Sequence, residues 1–254
     1  MIQDYVIEQR NAVLHFLKSQ FNNDISNFQK SSLMLDTIIK TIGSLKIWQK
    51  NLESVIIGNS SVYINEIISN LNHSLIMAAL GFKTPTMLMI RRSQENLFSF
   101  LYYKDHPIEL YRKETDLTKK NQQMKMNELK DYIVDYPLIM HYPCINAEEA
   151  RKTVKRITDV WQEQYKDLSN YVHGTNSNFL ELVKLLEDIQ PSDELFNMII
   201  ENIEIFSSVI NSLFIIFYFN EYKQFIGAEK SFIRQSIING FGFKEKIRFV
   251  FQEI

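Results

Sequence analysis

Two short clusters in this 254-residue chain combine side-chain types that could do chemistry. The first is Arg91-Arg92-Ser93-Gln94-Glu95-Asn96, set within an otherwise apolar stretch. On a helix a spacing of four puts Arg91 and Glu95 on one face, while Arg92 reaches Glu95 at three and Asn96 at four. An arginine oriented by a carboxylate presents a planar fork of donors that suits a phosphate. The same residues on a surface make an ordinary ion pair worth under about 1 kcal/mol. The second cluster is Tyr165-Lys166-Asp167-Leu168-Ser169-Asn170-Tyr171-Val172-His173-Gly174. Lys166 and His173 stand seven residues apart, nearly two helical turns. They therefore share a stripe, with Ser169 and Asn170 between them, away from the side of Trp161 and Leu168. A histidine in the last turn of a helix is stabilised as its cation by the helix dipole, which suits a general acid. In the plainer alternative His173 bonds terminal carbonyls and Gly174 stops the helix.

Composition says what kind of scaffold must hold these clusters. Seven Gly and five Pro are few punctuating residues for 254, which leaves too little raw material for an all-β or doubly wound α/β chain and points to long helices. Apolar spacing of three and four predicts helices over 3–22, 26–42 and 45–57, with breaks at Gly43 and Gly58, and another from Ser60 or Ser61 to Gly81. Thr84-Pro85 marks a start for the helix carrying Arg91, which ends near Asp105 because His106-Pro107 favours extended backbone. Residues 112–130 hold six Lys/Arg against three acids and read as an exposed helix or an insertion. The stretch from Asp135 to Asn146, with Pro137 and Pro143, is the one long non-helical connection. It either folds over a site or joins two helices. Asn146 with Glu149 opens the helix that ends at Gly174. Asn176 or Ser177 caps a short helix ending at Gln190-Pro191, Ser192 caps an apolar helix over 193–225, and two short helices divided at Asn239-Gly240 complete the chain.

Several function classes fall away. With 45% hydrophobic residues the chain can bury a substantial core, and a net charge of −2 provides no global field for nucleic acid. The lone Cys144 excludes a disulfide within one chain and, with no signal-peptide pattern at the start, indicates the cytoplasm. The longest apolar run, Leu213 to Phe219, is too short to span a bilayer, so no membrane association is expected. His141-Tyr-Pro-Cys144 has the gap of half a zinc site, but no second pair follows and no metal is expected. There is no glycine-rich phosphate loop and no GxSxG, HExxH or EF-hand pattern, so no cofactor is implied.

A helix bearing RRSQEN followed some 70 residues later by a helix ending YKDLSNYVHG resembles the all-α HEPN superfamily, especially its bacterial branches associated with abortive infection and antiphage defence. The similarity covers about residues 80–225. It implies an all-α helical bundle with a HEPN-like core over 81–225; outside it, the helical patterning predicts an additional N-terminal helical layer over 1–80 and C-terminal helices over 226–254 packing on the same domain. It also implies a homodimer, or a complex with a protein encoded nearby, that cuts RNA without metal. His173 would move the proton, Arg91 or Arg92 positioned by Glu95 would hold the phosphate, and Tyr165, Lys166, Ser169 and Asn170 would line the same site, with the RNA 2′-OH as nucleophile. The chain departs from the family pattern in one respect. The arginine expected shortly before the histidine is absent, and Lys166-Asp167-Leu168 stand in that window. Either an arginine from the neighbouring helix replaces it, giving a toxin-like ribonuclease, or nuclease activity is lost and a non-catalytic module that scaffolds or regulates a partner remains.

Overall fold

A computed structural model describes residues 2–56, 58–115, 124–143, 145–174, 179, 183 and 185–251. Among these residues there are twelve α-helices and no strand. They are α1 (Ile2–Phe21), α2 (Ser31–Leu52), α3 (Ser61–Ala79), α4 (Lys83–Tyr103), α5 (Pro107–Thr115), α6 (Met126–Val134), α7 (Leu138–His141), α8 (Ala147–His173), α9 (Asp193–Phe217), α10 (Phe219–Gln224), α11 (Gly227–Gln235) and α12 (Phe243–Phe251). The all-α expectation is met.

The centre of the bundle is α9. From Phe206 to Phe217 every residue is buried, because α2, α4, α8 and α12 close around this helix. An all-round apolar helix needs such enclosure. It alone among the described helices is long and apolar enough to cross a membrane, yet 78% of its most apolar stretch is buried inside the protein. Helices α2 and α3 contribute to the same continuous core as α4, α8 and α9, so the first 80 residues are built into the bundle. The core also holds polar side chains with partners. The Trp48 indole N–H donates to Asn211 Oδ1 at 3.0 Å, and Asn211 Nδ2 donates to Ser44 Oγ at 3.1 Å and to the Ser207 carbonyl at 2.8 Å, tying α2 to α9.

Several helix ends fall where capping chemistry places them. Asn146 Oδ1 accepts from the Glu149 N–H at 3.2 Å, Ser192 Oγ accepts from the Leu195 N–H at 3.1 Å, and Gly174 takes φ 55° to close α8. Gly81, at φ +88°, turns α3 back onto α4, and a Cβ there would stand 2.4 Å from the Gln190 carbonyl carbon.

Other boundaries differ from the expectation, each for a tertiary reason. Gly43 does not interrupt α2. It makes room for a neighbour, since an added Cβ would lie 2.8 Å from Phe232 Cζ of α11. The cap position of α4 is Phe82, and Thr84 lies within its first turn. The apolar helix expected over 193–225 breaks at Tyr218. At the break the Tyr142 hydroxyl donates to the Phe217 carbonyl at 3.1 Å and accepts from the Phe219 N–H at 2.9 Å. One side chain thus satisfies both backbone groups that the broken ladder leaves exposed to the core. Residues 135–146 are not wholly irregular, since they contain α7. Residues 116–123 of the polar stretch, Cys144, and the expected cap at Asn176 or Ser177 lie outside the described residues.

Candidate functional site

Helices α4 and α8 run antiparallel, and their side-chain pairs fix the register. Lys83 lies over the Tyr171 ring at 5.4 Å, Arg91 meets Tyr165, Gln94 meets Gln164, and Phe98 stacks on Trp161 with ring centres 3.8 Å apart. Both helices direct apolar faces into the core, so the expected site residues sit along one seam and its margins.

Arg91 and Glu95 are neighbours on α4, as their spacing requires. The Arg91 Nη2 donates to the Tyr165 hydroxyl at 3.0 Å, and that hydroxyl donates to Glu95 Oε1 at 3.1 Å. Arg91 Nε is 3.2 Å from the same carboxylate oxygen, near enough for an ion pair but without hydrogen-bond alignment. The guanidinium carbon also lies 5.0 Å from the Tyr165 ring centre, within cation–π range. Burial raises the Tyr165 hydroxyl above the usual phenol range; Arg91 opposes the shift and Glu95 adds to it. With only 15% of its side chain exposed, Arg91 is enclosed by its own chain.

Arg92 turns the other way. Its Nη2 pairs with Glu66 of α3 at 3.0 Å, with both side chains well exposed. The expectation that Arg92 reaches Glu95 or Asn96 is corrected on this point: α3 supplies a nearer carboxylate. The Asn96 Nδ2 is buried without a partner. Just below the Arg91 pair, Gln94 Nε2 donates to Gln164 Oε1, and Gln164 Nε2 donates to the Asn202 carbonyl at 2.6 Å, joining α4, α8 and α9.

On α8, Lys166 and His173 lie on one exposed stripe, with Ser169 and Asn170 half-buried beside them. The Ser169 hydroxyl donates to the Tyr165 carbonyl at 2.6 Å, which leaves it a weaker donor to any ligand. His173 is the last residue of α8 and is exposed. It stands eight residues beyond Tyr165, about 12 Å along the helix axis, level with the start of α4. Arg91, Glu95 and Tyr165 are therefore brought together, while His173, Lys166 and Arg92 are held apart from them.

A second polar cluster lies at the opposite end of α4 and was not singled out by the sequence motifs. A cavity of about 230 Å³ is walled by Val55, Lys104, Asp105, Tyr136, His141, Tyr142, Phe217, Tyr218 and Glu221, among others. Lys104, with 9% of its side chain exposed, pairs with Asp105 and donates to the Tyr136 hydroxyl at 3.4 Å. Burial lowers its pKa, and Asp105 recovers only part of the shift. The Tyr136 hydroxyl shares a 2.9 Å hydrogen bond with His141 Nε2, and burial with the Asp105 charge pushes its pKa up to about 12. The sequence signal was present in Lys104-Asp105 and in the Tyr136 to Tyr142 segment, but no fixed spacing links stretches more than thirty residues apart. Among the described residues no three His, Cys, Asp or Glu side chains gather as metal ligands.

Comparison with family models, with curated proteins and with solved structures finds no match to this chain.

Proposed function

We propose that this chain is a non-catalytic all-α interaction module, with a HEPN-like core, that scaffolds or regulates a partner in a bacterial antiphage defence or toxin system. The observation that carries this reading is the engagement of Arg91. Its guanidinium is bonded to Tyr165 and paired with Glu95, two helical turns from His173. A phosphate-binding arginine must present its donors to the substrate, and a general acid must lie within hydrogen-bond reach of the same reacting group. Within one chain this pair meets neither condition. Exposed apolar side chains on the segment around and after the α8 terminus, at Val172, Val183, Leu185 and Leu186, suit a protein contact better than a phosphate backbone.

The ribonuclease reading retains one favouring observation, the solvent-facing pair of Lys166 and His173 on a single stripe. In that form the site is completed by a second copy or by another protein, and cleavage in the cytoplasm proceeds without metal. Incubation of the purified protein with end-labelled total RNA in EDTA separates the two, alone and with the protein encoded beside its gene. The module reading expects no product with 2′,3′-cyclic phosphate ends and a stable complex with the neighbour by light scattering. Cleavage by the wild type that disappears in His173→Ala, and in Arg91→Ala/Arg92→Ala, would establish the nuclease instead.

A further inference from the structure

We infer that the cavity at the C-terminal end of α4 is a binding site for a small organic cation, a primary ammonium compound of a few heavy atoms. Two independent observations carry this. The first is the balance of groups that face the cavity. Lys104 and Asp105 cancel each other's charge, and Asp105 uses Oδ2 for both Lys104 and the Tyr132 hydroxyl, the latter at 2.8 Å. Among the described residues Glu221 has no hydrogen bond and no ion pair, so the cavity keeps one carboxylate without a partner beside the donors of Tyr218, Asn220 and His141. The second is Tyr218. It is only 6% exposed and lines the cavity, yet its hydroxyl has no hydrogen-bond partner in the protein among the described residues. Tyr218 lines the cavity together with Asp105, Tyr136, Tyr142 and Glu221. An enclosed tyrosine whose hydroxyl makes no hydrogen bond leaves that group free for a ligand atom or water in the cavity.

The aromatic walls select the same ligand class. Lys104 Nζ lies 4.6 Å from the Tyr136 ring centre, 5.4 Å from Phe217 and 5.8 Å from Tyr218. An ammonium thus already fits against these faces in the protein itself. A second ammonium placed beside Glu221 would meet the remaining carboxylate. An anion there would meet Glu221 and be repelled. The volume is below the roughly 300–1,000 Å³ of drug-sized sites, which limits the ligand to a short alkyl or diamine chain.

Calorimetric titration of the whole protein with n-butylamine, with putrescine and with butyrate tests the assignment. Both amines should bind saturably and raise the melting temperature, and butyrate should not bind. Glu221→Gln should weaken amine binding at least tenfold, and Tyr218→Phe, which keeps the ring, by about tenfold, the usual loss for a hydrogen bond to a charged group. Val55→Trp places bulk at the exposed mouth and should abolish binding. That change touches no core contact, so it stays informative if either other variant folds poorly. Absence of amine binding, binding of butyrate in preference, or amine affinity unchanged in all three folded variants would overturn the site.

Discussion

Replacing Arg91 by Met separates a structural arginine from one held in reserve for a ligand. Met keeps most of the aliphatic stem and its packing against α8 but removes the guanidinium. The substitution deletes the 3.0 Å hydrogen bond to Tyr165, which in a setting this enclosed is worth about 1.5–3 kcal/mol when one partner is charged. It also deletes the pairing with Glu95, whose side chain is one-third exposed, so that part contributes under about 1 kcal/mol. The expected loss is about 2–3 kcal/mol, or a melting temperature lower by about 4–12 °C for a chain of this size. Urea unfolding followed by circular dichroism and by tryptophan emission measures it. The emission is informative because Trp161 stacks on Tyr165 with ring centres 5.1 Å apart. Arg92→Met is the control, since its exposed pair with Glu66 should change stability by less than about 1 kcal/mol. In a double-mutant cycle with Tyr165→Phe the losses should be less than additive, because the two side chains share one bond. If Arg91→Met leaves stability unchanged or raises it, the arginine is not a packing element, and the non-catalytic module is refuted with it.

Tyr142→Phe should destabilise the protein by about 2–4 kcal/mol, because the Phe217 carbonyl and the Phe219 N–H both lose their partner inside the core; chemical denaturation reads this directly. Gly81→Ala should cost about 2–4 kcal/mol, from the left-handed φ together with a Cβ 2.4 Å from backbone of the 190 connection, and should appear as a lower melting temperature with unchanged helix content. Glu204 on α9 is held above the usual carboxylate range, first by burial and then by Glu201, with Lys40 opposing. A carboxyl whose folded pKa is raised is penalised when ionised, so the native state loses stability as pH rises from the ordinary Glu value through the folded one. Glu204→Gln should therefore stabilise the protein at pH 7, and the gain should vanish near pH 4, as melting curves of both proteins across that range will show.

The parts of the fold that were legible in the sequence are those set by local chemistry. Asn146 with Glu149, Ser192 and Gly174 each specify a terminus through a bond or dihedral spanning at most a few residues, and the structure places those termini accordingly. The parts that were not legible depend on residues distant in sequence. Gly43 looks like a stop signal until Phe232 is known to press against it. The break at Tyr218 has no local signal in an apolar run; the side chain that satisfies it is Tyr142, whose bond to Phe217 spans 75 residues. The cavity around Lys104 is assembled from the second half of α2's connection, the end of α4, α7 and the α9–α10 break, and no single stretch carries its signature.

The candidate site shows the same division on a finer scale. Spacing placed Arg91 beside Glu95, and Lys166 on one stripe with His173, and both pairings hold. Spacing is silent on which residue of α8 stands opposite Arg91, because that is a register between two helices and is decided by packing. Here Phe98 on Trp161 and Gln94 on Gln164 lock the register, and they set Tyr165 opposite the guanidinium. Sliding α4 two turns toward the end of α8 would bring Arg91 level with His173, but it would separate the stacked rings and leave buried Gln94 and Gln164 without each other. Such a shift would cost several kcal/mol in unpaired amides and lost ring contact. The seam therefore resists the rearrangement that would set Arg91 beside His173, and among the described residues the cations of this chain that lie toward His173 are lysines, Lys166 on the same stripe and Lys83 at the start of α4.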